Sequence, residues 1–145
     1  MAVVTCEACG AKNRVDPERA AAAQPTCGRC GTELRRAEGP VTVTDATFDR
    51  IIRGGGSRPV LLDCWAPWCG PCRMLAPELD RLAAQSGGRF VVAKLNVDEN
   101  PRTAEALQVR SIPALFIFKH GSVVEQLTGA QPASALAAKL QAHLD

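Results

Sequence analysis

Six of the seven cysteines in this chain fall into three Cys-x-x-Cys pairs, and their spacing and surroundings limit what the chain can build. The pair in Cys69-Gly70-Pro71-Cys72 follows Trp65-Ala66-Pro67-Trp68 and leads into a helix-like run. Two intervening residues let one sulfur sit at a helix N-terminus with the other a turn away, near enough to close a small disulfide ring. That arrangement points to thiol-disulfide exchange, in which the ring opens and closes. The spacing by itself is ambiguous, because zinc knuckles use it too, and context must separate the three pairs.

The other two pairs, Cys6-Glu7-Ala8-Cys9-Gly10 and Cys27-Gly28-Arg29-Cys30-Gly31, are separated by residues 10–26, a gap of 17 positions within the window for four-cysteine zinc sites. Each pair can offer two thiolates from one tight turn, and the glycine after each second cysteine relieves strain where the backbone wraps the sulfurs. Four thiolates from Cys6, Cys9, Cys27 and Cys30 close a tetrahedron and leave no coordination position for water, so the expected zinc is structural rather than catalytic. Iron fits the same cage, and two disulfides or free thiols are the remaining readings. About 35 residues hold too little core to fold unaided, so the metal would supply the folding energy. Between the pairs, residues 17–23 read as an Ala-rich spacer with a helical turn or two.

At 145 residues and 46% hydrophobic content, the chain can hold one compact domain and a small appendage. The expected division is a four-cysteine module over 1–38 and a larger domain over 39–145, broken at Glu38-Gly39-Pro40. Residues 1–39 carry six basic and five acidic side chains, a balance of +1 that speaks against nucleic-acid binding. The start, Met1-Ala2-Val3-Val4-Thr5-Cys6, has neither the basic nor the apolar region of a secretory leader, and no run approaches a membrane span. The expectation is a soluble, cytoplasmic protein with no membrane partner, and nothing in the sequence demands more than a monomer. A reducing compartment also favours metal and redox roles for the paired cysteines over structural disulfides.

Beyond residue 39, strand-like and helix-like segments alternate, the pattern of an α/β architecture with a partly parallel sheet. Strands are expected at 41–43, 60–64, 89–96, 114–119 and 123–127, the last two as a hairpin around His120-Gly121. Helices are expected at 45–52 with Thr44 as N-cap, from the cysteine motif onward with Leu75, Leu79 and Leu82 inward, at 101–107, and at 132–144 with Pro132 in the first turn. Pro77 should kink the second of these. The run Gly54-Gly55-Gly56-Ser57 lacks the lysine and hydroxyl of a phosphate loop and reads as a flexible connection. No nicotinamide fingerprint is present, and neither nicotinamide nor flavin is expected to bind directly. The cysteine motif therefore sits where strand gives way to helix, the usual place for chemistry in an open α/β sheet.

On these residues, 41–145 resembles a thioredoxin. Trp68-Cys69-Gly70-Pro71-Cys72 carries the resemblance; Asp63, Ala93-Lys94-Leu95-Asn96-Val97-Asp98, Ser111-Ile112-Pro113 and Gly129 extend it. With the four-cysteine module the whole chain resembles the zinc-containing second type of bacterial thioredoxin. The resemblance implies a thioredoxin fold, a central mixed sheet flanked by helices, with a small zinc-ribbon-like module, and a protein-disulfide reductase activity. Cys69 would be the nucleophile and Cys72 the resolving thiol. Asp63, charged and flanked by Leu62 and Cys64, should have a raised pKa and accept the Cys72 proton. Lys94 would tune Asp63, with a solvated strand-end lysine as the alternative. Pro113 would be cis, leaving the Ile112 backbone free to pair with an extended substrate, and Trp68, Gly70, Pro71, Ile112, Pro113 and Gly129 would surround the dithiol as the substrate-binding face.

Trp65 reads as a packing residue, Cys64 as a buried inert thiol in place of the family's usual aromatic, and His120 and His143 as surface residues. The implied partners are a flavoprotein thioredoxin reductase and oxidised proteins with exposed disulfides. The Gly70-Pro71 dipeptide matches the reducing members, against a disulfide isomerase or oxidase that shares the site but not the redox poise. A sensor or holdase that releases zinc on oxidation is the alternative of another class.

Overall fold

A computed structural model describes residues 2–6, 8–16, 25–32, 34 and 39–144. The segment 17–23, expected as an Ala-rich spacer, lies outside the described residues. The N-terminal cysteines are carried on an antiparallel ribbon of β1 (Ala2–Thr5) and β2 (Lys12–Val15), in register from Ala2 opposite Val15 to Thr5 opposite Lys12. The first cysteine pair forms the turn of that ribbon. Among its described residues Val15 and Leu34 are buried beside Cys6 and Cys27, and Val4 and Ala11 are partly covered.

The larger sheet contains β3 (Val41–Val43), β4 (Val60–Trp65), β5 (Val91–Asn96), β6 (Ala114–Lys119) and β7 (Ser122–Thr128), in the order β3-β5-β4-β6-β7. The first three are parallel, β6 runs antiparallel to β4, and β7 pairs antiparallel with β6. Central β4 is apolar on both faces apart from Asp63, as a strand covered on both sides must be. Between β6 and β7 the two-residue turn His120-Gly121 has φ of 53° and 80°, and the positive pair matches the twist of the strands it joins.

Four helices cover the sheet: α1 (Phe48–Gly54), α2 (Gly70–Gln85), α3 (Pro101–Ala106) and α4 (Ala133–Gln141). Leu75, Leu79 and Leu82 of α2 and Leu136 and Leu140 of α4 pack with Leu61, Val92, Leu115 and Ile117 on one face. Ile51 and Ile52 of α1 pack on the other with Leu62, Cys64, Ala93, Leu95, Phe116 and Phe118. Alternation along β4 thus sends Leu61 and Asp63 toward the α2 side and Leu62 and Cys64 to the opposite core.

The helix limits differ from the sequence expectation in two instructive places. Helix α1 begins at Phe48 rather than Asp45. The Asp45 carboxylate instead accepts the backbone N–H groups of Thr103 (2.8 Å) and Arg102 (3.3 Å) at the start of α3, while Asn100 Oδ1 accepts the N–H of Asp45 (2.9 Å). Pro132 stands at the N-cap of α4 rather than in its first turn, and the Ala133 N–H is taken by Glu78 Oε2 of α2 at 3.0 Å. Helix α2 runs on through Pro77 as one 16-residue element.

Candidate active site

Cys69 occupies the N-cap of α2 in an extended backbone conformation, and its Sγ accepts the N–H of Cys72 at 3.2 Å. A sulfur therefore takes the capping position that a serine or aspartate oxygen usually fills. Gly70 and Pro71 form the first two helical positions, where a proline has no N–H to leave unpaired. Cys69 and Cys72 are joined as a disulfide with Cα atoms 5.2 Å apart, and both are buried. Once the bond is reduced, the partial positive charge of the helix terminus falls on Cys69 Sγ and favours its thiolate.

The strand leading to the motif brings Asp63 to the α2 side of the sheet, in register with Lys94 on β5 and Leu115 on β6. Asp63 is 0% exposed, and among the described residues neither carboxylate oxygen has a hydrogen-bond partner. Burial drives its pKa up to about 7, with the Lys94 charge pulling the other way. Lys94 is half-buried, and its ammonium lies 4.9 Å from the ring centroid of Trp65, which is itself partly buried against it. Cys64, on the opposite face, is fully buried, its thiol pushed up to about 12 by burial and then by the Asp63 charge.

Loops from other elements complete the surroundings. The Ile112–Pro113 peptide bond is cis, and the Ile112 carbonyl lies 3.8 Å from Cys69 Sγ. The Gly129 N–H donates to the Pro113 carbonyl at 3.0 Å, tying the end of β7 to the same loop. Trp68 is 67% exposed, and its indole N–H donates to Asp98 Oδ2 at 2.9 Å. Asn96 Oδ1 accepts the N–H groups of Asp98 (2.9 Å) and Glu99 (3.3 Å), folding the chain back after β5 so that Asp98 reaches the indole. Arg73 donates to the Pro67 carbonyl from Nε (3.1 Å) and a terminal nitrogen (2.7 Å), and Met74 beside it is exposed. Asp98 and Arg73 carry no role in the sequence reading. The Asn-x-Asp turn that closes β5 is the local signal that would have pointed to Asp98. Of the two histidines, His120 is exposed, whereas His143 is half-buried with Nε2 3.7 Å from Glu125 Oε1.

In the ribbon, Cys6, Cys9, Cys27 and Cys30 bring four Sγ atoms within 4.8 Å of one another. Cys6 and Cys30 stand 3.6 Å apart, and Cys9 and Cys27 3.7 Å. A tetrahedron with metal–sulfur bonds of about 2.3 Å has edges of about 3.8 Å, so these spacings fit zinc. The two turns are built alike. Cys6 N–H donates to Ala11 O (2.8 Å) and Gly10 N–H to Cys6 O (2.9 Å); Cys27 N–H donates to Thr32 O (2.8 Å) and Gly31 N–H to Cys27 O (2.8 Å). Gly10 and Gly31 both have φ of 77°, a conformation costly for any residue with a Cβ.

A dithiol at the end of a parallel strand, capping the following helix beside a cis-proline loop, defines a thioredoxin-fold oxidoreductase. The family model for thioredoxin matches residues 39–142, and the model for the zinc ribbon described as "Thioredoxin 2, N-terminal" matches residues 5–32. The thioredoxin of Alicyclobacillus acidocaldarius is 51% identical over 100 residues, covering 69% of this chain and 93% of that protein. Thioredoxin 1 of Nostoc sp. is 49% identical over 102 residues, covering 70% and 94%. A mutant thioredoxin from Halobacterium salinarum NRC-1 superposes with a TM-score of 0.68 at 36% identity, covering 74% of this chain and 93% of that one. The chain belongs to the thioredoxin family, with an N-terminal four-cysteine ribbon in addition, and is a thiol-disulfide oxidoreductase.

Proposed function

We propose that this protein is a general protein-disulfide reductase whose electrons pass through Cys69 and Cys72. The observation that carries the reading is the disulfide at the head of α2, with Cys69 Sγ accepting the Cys72 N–H, together with a buried Asp63, without a hydrogen bond among the described residues, on the α2 side of β4. The Cys69 thiolate attacks one sulfur of a substrate disulfide, breaking that bond, forming a mixed disulfide and releasing the first substrate thiolate, which takes a proton. Asp63 accepts the proton of Cys72; the Cys72 thiolate then attacks Cys69 Sγ and releases the second substrate thiolate. Two electrons pass to the substrate, the first thiolate takes its proton from solvent and the second takes the one Asp63 held, and the Cys69–Cys72 disulfide remains. A carboxyl titrating at about 7 can take and return that proton near neutral pH.

Trp68, Gly70, Pro71, Ile112, Pro113 and Gly129 form the substrate face, with the Ile112 backbone as the pairing edge for an extended segment. Lys94 acts on Asp63 as a positioning charge, held over Trp65. A thioredoxin reductase restores the dithiol, the substrates are oxidised proteins with exposed disulfides, and the setting is the cytoplasm, where the protein acts as a monomer. Among the described residues no helix is long and apolar enough to cross a membrane. The chain divides into a ribbon over 1–38, holding structural zinc on Cys6, Cys9, Cys27 and Cys30, and a thioredoxin domain over 39–145.

The decisive test is the reduction potential of the Cys69–Cys72 pair in a thiol redox buffer, with metal content followed in the same samples. A value near about −270 mV agrees with a reductant, and one near about −180 mV or above overturns that reading for an isomerase or oxidant. Metal loss preceding oxidation of Cys69 and Cys72 would instead favour the sensor. For Asp63, release of substrate from the mixed disulfide is expected to slow in Asp63→Asn across pH 6–8; an unchanged rate removes the proton-acceptor role.

A further inference from the structure

Each cysteine turn of the ribbon is closed by its own backbone hydrogen bonds, but nothing in those bonds sets one turn against the other. The residue that spans them is Asn13, on β2. Its Oδ1 accepts the Gly28 N–H of the second turn at 3.0 Å, and its Nδ2 donates to the Ala11 carbonyl of the first at 3.2 Å and to Cys27 Sγ at 3.5 Å. The need of the Gly28 N–H for an acceptor fixes which end of the amide is oxygen. Cys27 Sγ also accepts the N–H of Arg29 at 3.4 Å, so two N–H dipoles converge on one buried sulfur.

We propose that Asn13 is the positioning residue of the four-cysteine metal site, holding the two cysteine turns in the register that closes the tetrahedron and tempering the donor strength of the Cys27 thiolate. The inference rests on the reading of Cys6, Cys9, Cys27 and Cys30 as a metal site. Four thiolates on one divalent ion carry a net charge of −2, in a module with a side-chain balance of only +1 over residues 1–39. An N–H directed at a sulfur draws charge from it, and such outer partners orient and tune metal ligands. An asparagine suits the place because one short side chain supplies both an acceptor and two donors. An alanine supplies neither, and an aspartate keeps the acceptor for Gly28 while losing the donor to sulfur.

The test uses the full chain with its thiols reduced, and zinc and cobalt(II) as probes. Asn13→Ala is expected to weaken zinc about 10- to 100-fold in competition with a chelator, the range usual for loss of an outer-sphere partner. Arg14→Ala, an exposed neighbour on the same strand, is expected to bind as the parent chain does. At full cobalt occupancy, Asn13→Asp is expected to move the thiolate-to-cobalt charge-transfer band to lower energy, because a thiolate with one N–H bond fewer gives up its electrons more easily. A role confined to folding would lower occupancy without moving the band, so weakened binding with an unmoved band overturns the proposal. Affinities within twofold of the parent for both Asn13 variants overturn it as well, while leaving the metal site intact. A parent chain that takes up neither zinc nor cobalt at one equivalent overturns the metal reading and this inference together.

Discussion

Asp63 carries a charge-bearing group into a mainly apolar layer with no hydrogen bond among the described residues to satisfy it, and desolvation outweighs the Lys94 charge, so its ionisation works against folding. With the carboxyl at about 7 in the folded chain against an ordinary 3.8, ionised Asp63 costs the native state up to about 4 kcal/mol. Because the folded value is the higher one, this cost is absent below pH 4, grows as pH rises from about 4 to about 7, and is constant above. Asp63→Asn should therefore stabilise the protein by on the order of 2–4 kcal/mol at pH 8 and by little at pH 4, measured by urea unfolding at both. An equal gain at the two pH values would show that ionisation is not what the substitution removes. Cys64, one residue on, shows how alternation along a strand separates fates. It faces the other core, its thiol stays protonated, and alkylating reagents should leave it untouched in the native protein at pH 8 while they label reduced Cys69.

At the scale of elements, Asp45 illustrates long-range capping. Its carboxylate closes the two leading N–H groups of α3, 57 and 58 positions along the chain. Asp45→Ala should cost about 1–2 kcal/mol in urea unfolding and speed hydrogen exchange at the Arg102 and Thr103 amides, whereas Asp45→Asn should cost less. The same residue marks what a sequence conveys and what it withholds. Periodicity placed the strands and the inward leucines of α2 and α4 because burial on a regular element repeats locally. The starts of α1 and α4 were misplaced because their caps are settled by partners far along the chain: Asp45 serves α3 instead of its own helix, and Glu78 of α2 supplies the acceptor that Pro132 cannot. At the site, the cysteines, Asp63 and the proline loop were legible from motif and resemblance. Asp98 was not assigned, since its task appears only when the turn after β5 brings it to Trp68.

For the whole molecule, the two parts draw their stability from different sources. The sheet carries an extensive core on each face, leucine-rich under α2 and α4 and built of valine, isoleucine and phenylalanine on the other side, whereas among the described residues the ribbon buries only Val15, Leu34, Cys6 and Cys27. Removing the metal with a chelator should open residues 2–34 to protease while the fragment from residue 39 onward stays resistant, read by mass spectrometry of the digest. Survival of the ribbon after complete metal removal would mean that its few apolar contacts suffice. The two tryptophans distribute unevenly over these parts. The chain has no tyrosine, and Trp65 and Trp68 both lie within the strand-to-helix passage that carries the dithiol. Light absorbed by indole is thus emitted from the reactive end of the molecule alone, with the ribbon dark. The reactive end of the molecule can therefore be followed by its own emission, without any attached dye.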